Sequence, residues 1–175
     1  MFMKKYILML CCFLIFYTAN IANSAPPCIA SVVKSSKPQG TATLNKLLFH
    51  VYDVEFWSDS PKWNMNSPHA LHLTYFVDID GEDFVERSLE ELQHNKNVDA
   101  VMLEDFKRIL PPLLPNVVEG DNISAVYRPN MGLFFCHNGK STGVLRNAEM
   151  EQAFMGIWLG ESTSEPDIRK KLLKL

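Results

Sequence analysis

The order of hydrophobic patterns along this chain predicts an α+β fold, a mainly antiparallel sheet with helices packed on one face. Three observations carry that reading. Runs dense in Leu, Val, Phe, Tyr and Trp come in two groups, residues 41–57 with 70–77, and residues 122–127 with 132–145. Segments of helical period follow each group in pairs, so the strand–helix–strand alternation of a parallel sheet is missing. The composition of the 175 residues, 47% hydrophobic and 21% charged, is that of an ordinary globular domain long enough to bury one core.

Residues 1–24 stand apart. Lys4 and Lys5 precede an unbroken apolar run from Tyr6 to Tyr17, and a polar stretch ends at Ala22-Asn23-Ser24. This is the layout of a cleaved secretory signal peptide with cleavage near Ser24, and its apolar run is short for a membrane span of about 20 residues. No other stretch is apolar enough to cross a bilayer. The expected product is an exported protein, and the periplasm is its simplest destination. Loss of Lys4 and Lys5 takes the formal charge from −3 to −5, a balance that gives no electrostatic reason to hold nucleic acid or anionic lipid. Cys28 and Cys136 remain after cleavage. In an oxidising compartment they either form a disulfide or stay as two thiols, and spacing alone does not choose.

The elements of the mature chain follow in order. Residues 25–40 read as an N-terminal entry segment with one edge strand at Ile29–Val33, and residues 41–175 as the domain. Thr41–Trp57 has no glycine or proline and reads as one long bent strand or a tight pair. Ser58–Pro68 is a loop, built from prolines, asparagines and serines. Ala70–Val77 is a strand with Leu71, Leu73, Tyr75 and Val77 on one side. Asp83–His94 places Phe84, Val85, Ser88, Leu89 and Leu92 at helical spacing, and its early acids suit a helix N-terminus. A second helix runs from Asp99 to Leu110, where Pro111 and Pro112 limit it. Asn122–Tyr127 and Gly132–Cys136 are strands, Asn138-Gly139 is a hairpin turn, and Ser141–Leu145 is the return strand. Glu149–Leu159 is an apolar-rich helix, and Pro166–Leu173 a short basic one.

Motifs for chemistry are scarce. There is no glycine-rich phosphate loop, no HExxH and no Gly-x-Ser-x-Gly elbow, so no cofactor or metal is expected. His69 and His72 should point to opposite faces of their strand, which makes them a poor metal pair. Asp105 and Asp121 have no spacing that brings them together. Arg87 and Glu91 stand i,i+4 on a helix, the spacing of an exposed ion pair. The tyrosines and tryptophans on strands are enough to line an apolar pocket. Nothing in the residues sets an oligomeric state.

Several segments resemble a known family. Leu48–Trp57 (Leu-Phe-His-Val-Tyr-Asp-Val-Glu-Phe-Trp) resembles a strand motif of the chalcone isomerase-like superfamily. So do Ala70-Leu-His-Leu-Thr-Tyr, Gly81-Glu-Asp-Phe-Val-Glu-Arg-Ser and the Asn138–Gly143 hairpin. Phe154–Gly160 and Ile168–Leu172 are similar to the ending of its exported bacterial branch. The resemblance runs over about residues 40–173. It implies an open-faced β-sandwich, and it groups this chain with plant enzymes that close a chalcone to a flavanone and with plastid fatty-acid-binding proteins.

The catalytic branch of that superfamily uses a strand arginine, a strand threonine, and a helix carrying Tyr, Lys and Asn. Carried over by position, the threonine is Tyr52, and the helix residues are Phe84, Arg87 and Glu91. No arginine lies between Ala25 and Glu86, so Lys46 is the one long cation on those strands. Phe84 donates no hydrogen bond, and Glu91 adds negative charge where an enolate would develop. The resemblance therefore implies an exported domain that binds a small apolar or amphipathic, fatty-acid-like ligand without flavonoid cyclase activity. Its candidate ligand-binding residues are Lys46, Tyr52, Tyr75, Phe84, Arg87 and Glu91. An isomerase with an altered site, and an envelope interaction protein without a pocket that exposes Trp57 or Trp63, are the alternatives.

Overall fold

The computed structural model describes residues 25–175; the expected leader and its cleavage site lie outside them. The elements are α1 (Pro27–Ala30), β1 (Gly40–Lys46), β2 (Phe49–Ser58), β3 (His69–Tyr75), α2 (Gly81–Gln93), α3 (Ala100–Ile109), β4 (Asn122–Arg128), β5 (Gly132–His137), β6 (Lys140–Leu145), α4 (Ala148–Leu159) and α5 (Pro166–Leu173). The six strands form one antiparallel sheet in chain order, β1 to β6. This is the expected α+β architecture.

Period-two alternation decides which face is core. Ala42, Val54, Phe56, Leu71, Leu73, Tyr75, Ile123, Ala125, Leu133, Phe135 and Leu145 are buried on one face, together with side chains of α2 to α5. Thr43, Asp53, Glu55, His72 and Ser124 take the positions between them. Thr43 donates to Asp53 Oδ1 at 2.5 Å, and His72 Nδ1 lies 2.8 Å from Ser124 Oγ. Helix α4 is apolar nearly all round, as a helix enclosed by other elements must be. It buries Met150, Ala153, Phe154, Met155, Trp158 and Leu159 and packs on α2, α5 and β5. Its exposed-helix counterpart α3 begins at Asp99, whose side chain accepts from Met102 N at 2.8 Å.

Two local expectations need correction, and one left open is resolved. Ile29–Val33 forms no edge strand. Pro27 stands at the first position of α1, where its fixed φ favours a helical turn. Ile29 and Val33 then share one side and pack with Trp57, Ala70 and Val126 on the second face of the sheet. A disulfide between Cys28 and Cys136 anchors this segment, with Cα atoms 6.7 Å apart. Thr41–Trp57 is the tight pair rather than the single bent strand. It is broken at Leu47-Leu48, with Leu47 at φ +54°. The strand expected to reach Val77 ends at Tyr75. Beyond it Ile79 makes an isolated bridge to Val117.

Candidate functional site

The register of three adjacent strands places Leu44 opposite Tyr52 and Tyr52 opposite Tyr75. Their side chains point to the helix-covered face. Helix α2 crosses above them, with Phe84, Arg87, Ser88 and Glu91 at i, i+3, i+4 and i+7, one stripe of its surface. Helix α4 adds Ile157 and Trp158, and the residue before α5 adds Glu165. Together they enclose a cavity of about 290 Å³ between sheet and helices. That volume is at the small end of the range for ligand sites, roughly 300–1,000 Å³.

The inner wall is aromatic and aliphatic. Tyr75 packs edge-on against Phe84 at 5.6 Å between ring centroids and against Tyr52 at 5.9 Å. Trp158 Nε1 donates to the Tyr52 hydroxyl at 3.0 Å, a long-range bond that ties α4 to the strands in this wall. Burial raises the Tyr52 phenol to about 12, against a lowering by the Trp158 bond. Burial also raises Tyr75 well above its usual value, helped by the nearby Tyr52. Both phenols are therefore neutral donors at any physiological pH. Tyr75 lines the cavity, and its hydroxyl has no hydrogen-bond partner among the described residues. The Ser88 hydroxyl is occupied by Phe84 O at 2.9 Å.

The mouth is charged, and most of its charges are paired. Lys46 is bonded to Glu165. Arg87 pairs with Glu90 at 2.7 Å and with Glu91. Glu91 also accepts from Ser164 Oγ at 2.7 Å, and its side chain is only 9% exposed. Asp83 lines the cavity as a further carboxylate.

All six residues expected from the sequence line this one cavity. Lys46, Tyr52 and Tyr75 come from the strands, and Phe84, Arg87 and Glu91 from α2. Leu44, Val51, Ile79, Asp83, Ser88, Ile157, Trp158 and Glu165 were missed. Trp158 lies in a segment whose apolar character already marked it as buried, but only the three-dimensional packing turns its indole N–H toward Tyr52. The Arg87–Glu91 pair departs from the exposed pair its spacing suggests, because Glu91 is tucked beneath the α4–α5 connection.

The remaining chemistry-bearing residues stay apart from the cavity. His69 and His72 face opposite sides of β3, as their spacing requires. His69 is fully buried among Phe56, Trp63 and Tyr127. Asp105 pairs with Arg108, whereas Asp121 is held by Asn138 and His137. Trp57 is buried and donates to Glu55 at 2.9 Å, and Trp63 donates to His69 at 3.2 Å. Neither forms a sticky patch. Three exposed large apolar side chains, Leu47, Leu48 and Phe49, are instead grouped at the β1–β2 turn, and Phe76, Val101, Val118, Met131 and Leu175 are exposed elsewhere. Among the described residues no helix is long and apolar enough to cross a membrane, and no group of three metal-type side chains gathers.

Comparisons with known proteins agree with this geometry. A family described as chalcone isomerase-like matches residues 37–174. An uncharacterised protein of Haemophilus influenzae is 26% identical over 144 residues, 78% of this chain and 67% of the relative. An Arabidopsis thaliana fatty-acid-binding protein of known crystal structure superposes with a TM-score of 0.58 at 13% identity, covering 78% of this chain and 85% of that one. At that identity the likeness speaks for the fold.

Proposed function

The chain belongs to the chalcone isomerase-like family, and from that premise we propose that it is an exported binder of a small apolar or amphipathic ligand of fatty-acid-like shape, without flavonoid cyclase activity. The observation that carries the reading is the cavity of about 290 Å³, walled by Leu44, Val51, Ile79, Phe84 and Ile157 and by two neutral phenols. Each methylene of a chain buried there contributes about 0.8 kcal/mol. The fold neighbour described as a fatty-acid-binding protein supports a fatty-acid-like ligand for this fold. Export rests on the leader-like residues 1–24 and on the cysteine pair, which suits an oxidising compartment.

Cyclisation is disfavoured by what stands at the family's catalytic positions. Phe84 offers the cavity no donor, and Glu91 brings a carboxylate to the wall. Removing one well-placed donor from such a site costs about 100-fold or more in rate. An isomerase with an altered site is the second reading, favoured only by the Tyr75 hydroxyl, a free donor inside the cavity.

Native mass spectrometry of the protein purified from the exported fraction, before and after denaturation, tests the binder. The expected result is a chain beginning near Ala25 that releases an apolar or amphipathic mass on unfolding. A chain of full length would remove the leader from the argument. A clean apo mass, with no uptake of added amphiphile, would remove the binder, and a chalcone absorbance assay would then test the second reading.

A further inference from the structure

We infer that the cavity selects an amphiphile with an uncharged, hydrogen-bond-accepting head, such as an ester, ketone or aldehyde, and discriminates against a free carboxylate. The inference rests on the ligand-binding reading and specifies its chemistry.

Two features of the wall set the preference. The first is the supply of donors. Tyr52 and Tyr75 present phenolic O–H groups to an otherwise apolar interior. The Tyr52 oxygen accepts from Trp158, which leaves its proton free to donate, and the Tyr75 hydroxyl has no partner among the described residues. A buried donor left without an acceptor is costly in such surroundings. A neutral carbonyl oxygen satisfies it without bringing charge into the wall.

The second feature is the balance of charge. The lining holds two cations, Lys46 and Arg87, against three carboxylates, Asp83, Glu91 and Glu165. Lys46 is already bonded to Glu165, and Arg87 to Glu90 and Glu91. A carboxylate ligand that takes Arg87 from Glu91 leaves a carboxylate only 9% exposed with Ser164 Oγ and the more distant His94 ring in place of the guanidinium. Leaving one member of a covered pair without its partner is strongly unfavourable. Glu165, at 32%, is more exposed than Glu91, so its bond with Lys46 is the weaker barrier. A carboxylate arriving there still adds a fourth negative group to a mouth with two cations. A neutral head disturbs neither pair.

The test is displacement of the neutral fluorophore N-phenyl-1-naphthylamine from the delipidated exported protein at pH 8. Methyl decanoate and decanoate are compared, both short enough to suit the cavity. The ester is expected to displace at a concentration at least tenfold lower than the carboxylate. Because an ester is intrinsically the more apolar of the two, substitutions decide what the wall contributes. Tyr75→Phe should weaken the ester at least threefold and by more than it weakens decanoate. Glu91→Gln should strengthen decanoate at least fivefold and by more than it changes the ester. Asp83→Asn, at an exposed position that tolerates change, should move decanoate in the same direction. Equal affinity for the two ligands in the unaltered protein, or a ratio unmoved by all three substitutions, overturns the preference while the binder stands. Failure of the fluorophore and of both ligands to bind overturns the binder itself.

Discussion

His69 is satisfied as a neutral ring and only as one. Its Nδ1 lies 2.8 Å from Ser67 O, and its Nε2 faces the Trp63 indole N–H at 3.2 Å. The first contact requires a proton on Nδ1 and the second requires none on Nε2. A second proton would set N–H against N–H in a place that is 1% exposed, among Phe56, Trp63 and Tyr127. Burial accordingly lowers its pKa from 6.5 to about 4, opposed by the Ser67 bond. The unfolded chain therefore takes up this proton first as pH falls. Stability should be full above the unfolded value and decline between pH 6.5 and 4, by about 3 kcal/mol for this residue at the lower end. His72 is also lowered to about 4 by burial and adds to the same window. Urea midpoints measured from pH 7 to pH 4 should fall steadily, and His69→Gln should flatten the fall. Asp121 acts in a lower window. Its bonds from Asn138, His137 and the Val118 N–H lower it to about 2. Its contribution is present above the ordinary carboxylate value and is lost as pH falls through 2, so the stability difference between the unaltered chain and Asp121→Asn should shrink between pH 5 and pH 2.

Helix α1 shows where sequence patterns mislead at the scale of an element. Ile29–Val33 is a short apolar run, and a run of five carries no period long enough to separate strand from helix. The deciding signal was Pro26-Pro27 immediately before it, a helix start rather than a strand start. The long elements were legible because each held several periods: α2, α3, α4 and α5 all lie within two residues of their expected limits. The break at Leu47-Leu48 was not legible, because leucine announces no turn and Leu47 adopts its positive φ without the help of glycine. Four turns of helix would hold the N-terminus by packing alone; α1 has four residues and is held by Cys28–Cys136, which are 108 residues apart. Closing so long a loop restricts the unfolded chain, and removing such a bond typically costs about 2–4 kcal/mol. Cys28→Ser should lower the urea midpoint accordingly. Because α1 covers the face opposite the cavity, the same variant should bind the fluorophore as tightly as the unaltered protein. Loss of binding would show that the two faces of the sheet are coupled.

At the scale of the whole molecule the cavity is the seam between layers. Its wall takes residues from β1, β2, β3, α2, α4 and the start of α5, and the two bonds that cross it join residues far apart in sequence. Trp158 meets Tyr52 across 106 positions, and Lys46 meets Glu165 across 119. This explains what the sequence left unread. Family resemblance named residues by position along β1–β3 and α2, but partners contributed by the last third of the chain depend on how α4 and α5 fold back over the sheet. The same construction makes ligand and fold interdependent. An occupant of the seam touches both layers, exists only when they are assembled, and has no counterpart site in the unfolded chain. At a free concentration 100 times its dissociation constant, such a ligand adds about 2.7 kcal/mol to stability. For a domain of this size that corresponds to a rise in Tm of about 5–10 °C. Calorimetry of the delipidated protein with and without methyl decanoate should show that rise, and Tyr75→Phe should reduce it without abolishing it, since the chain contacts persist when the donor is gone. An occupant that binds yet leaves Tm unchanged must sit elsewhere than between the sheet and its helices.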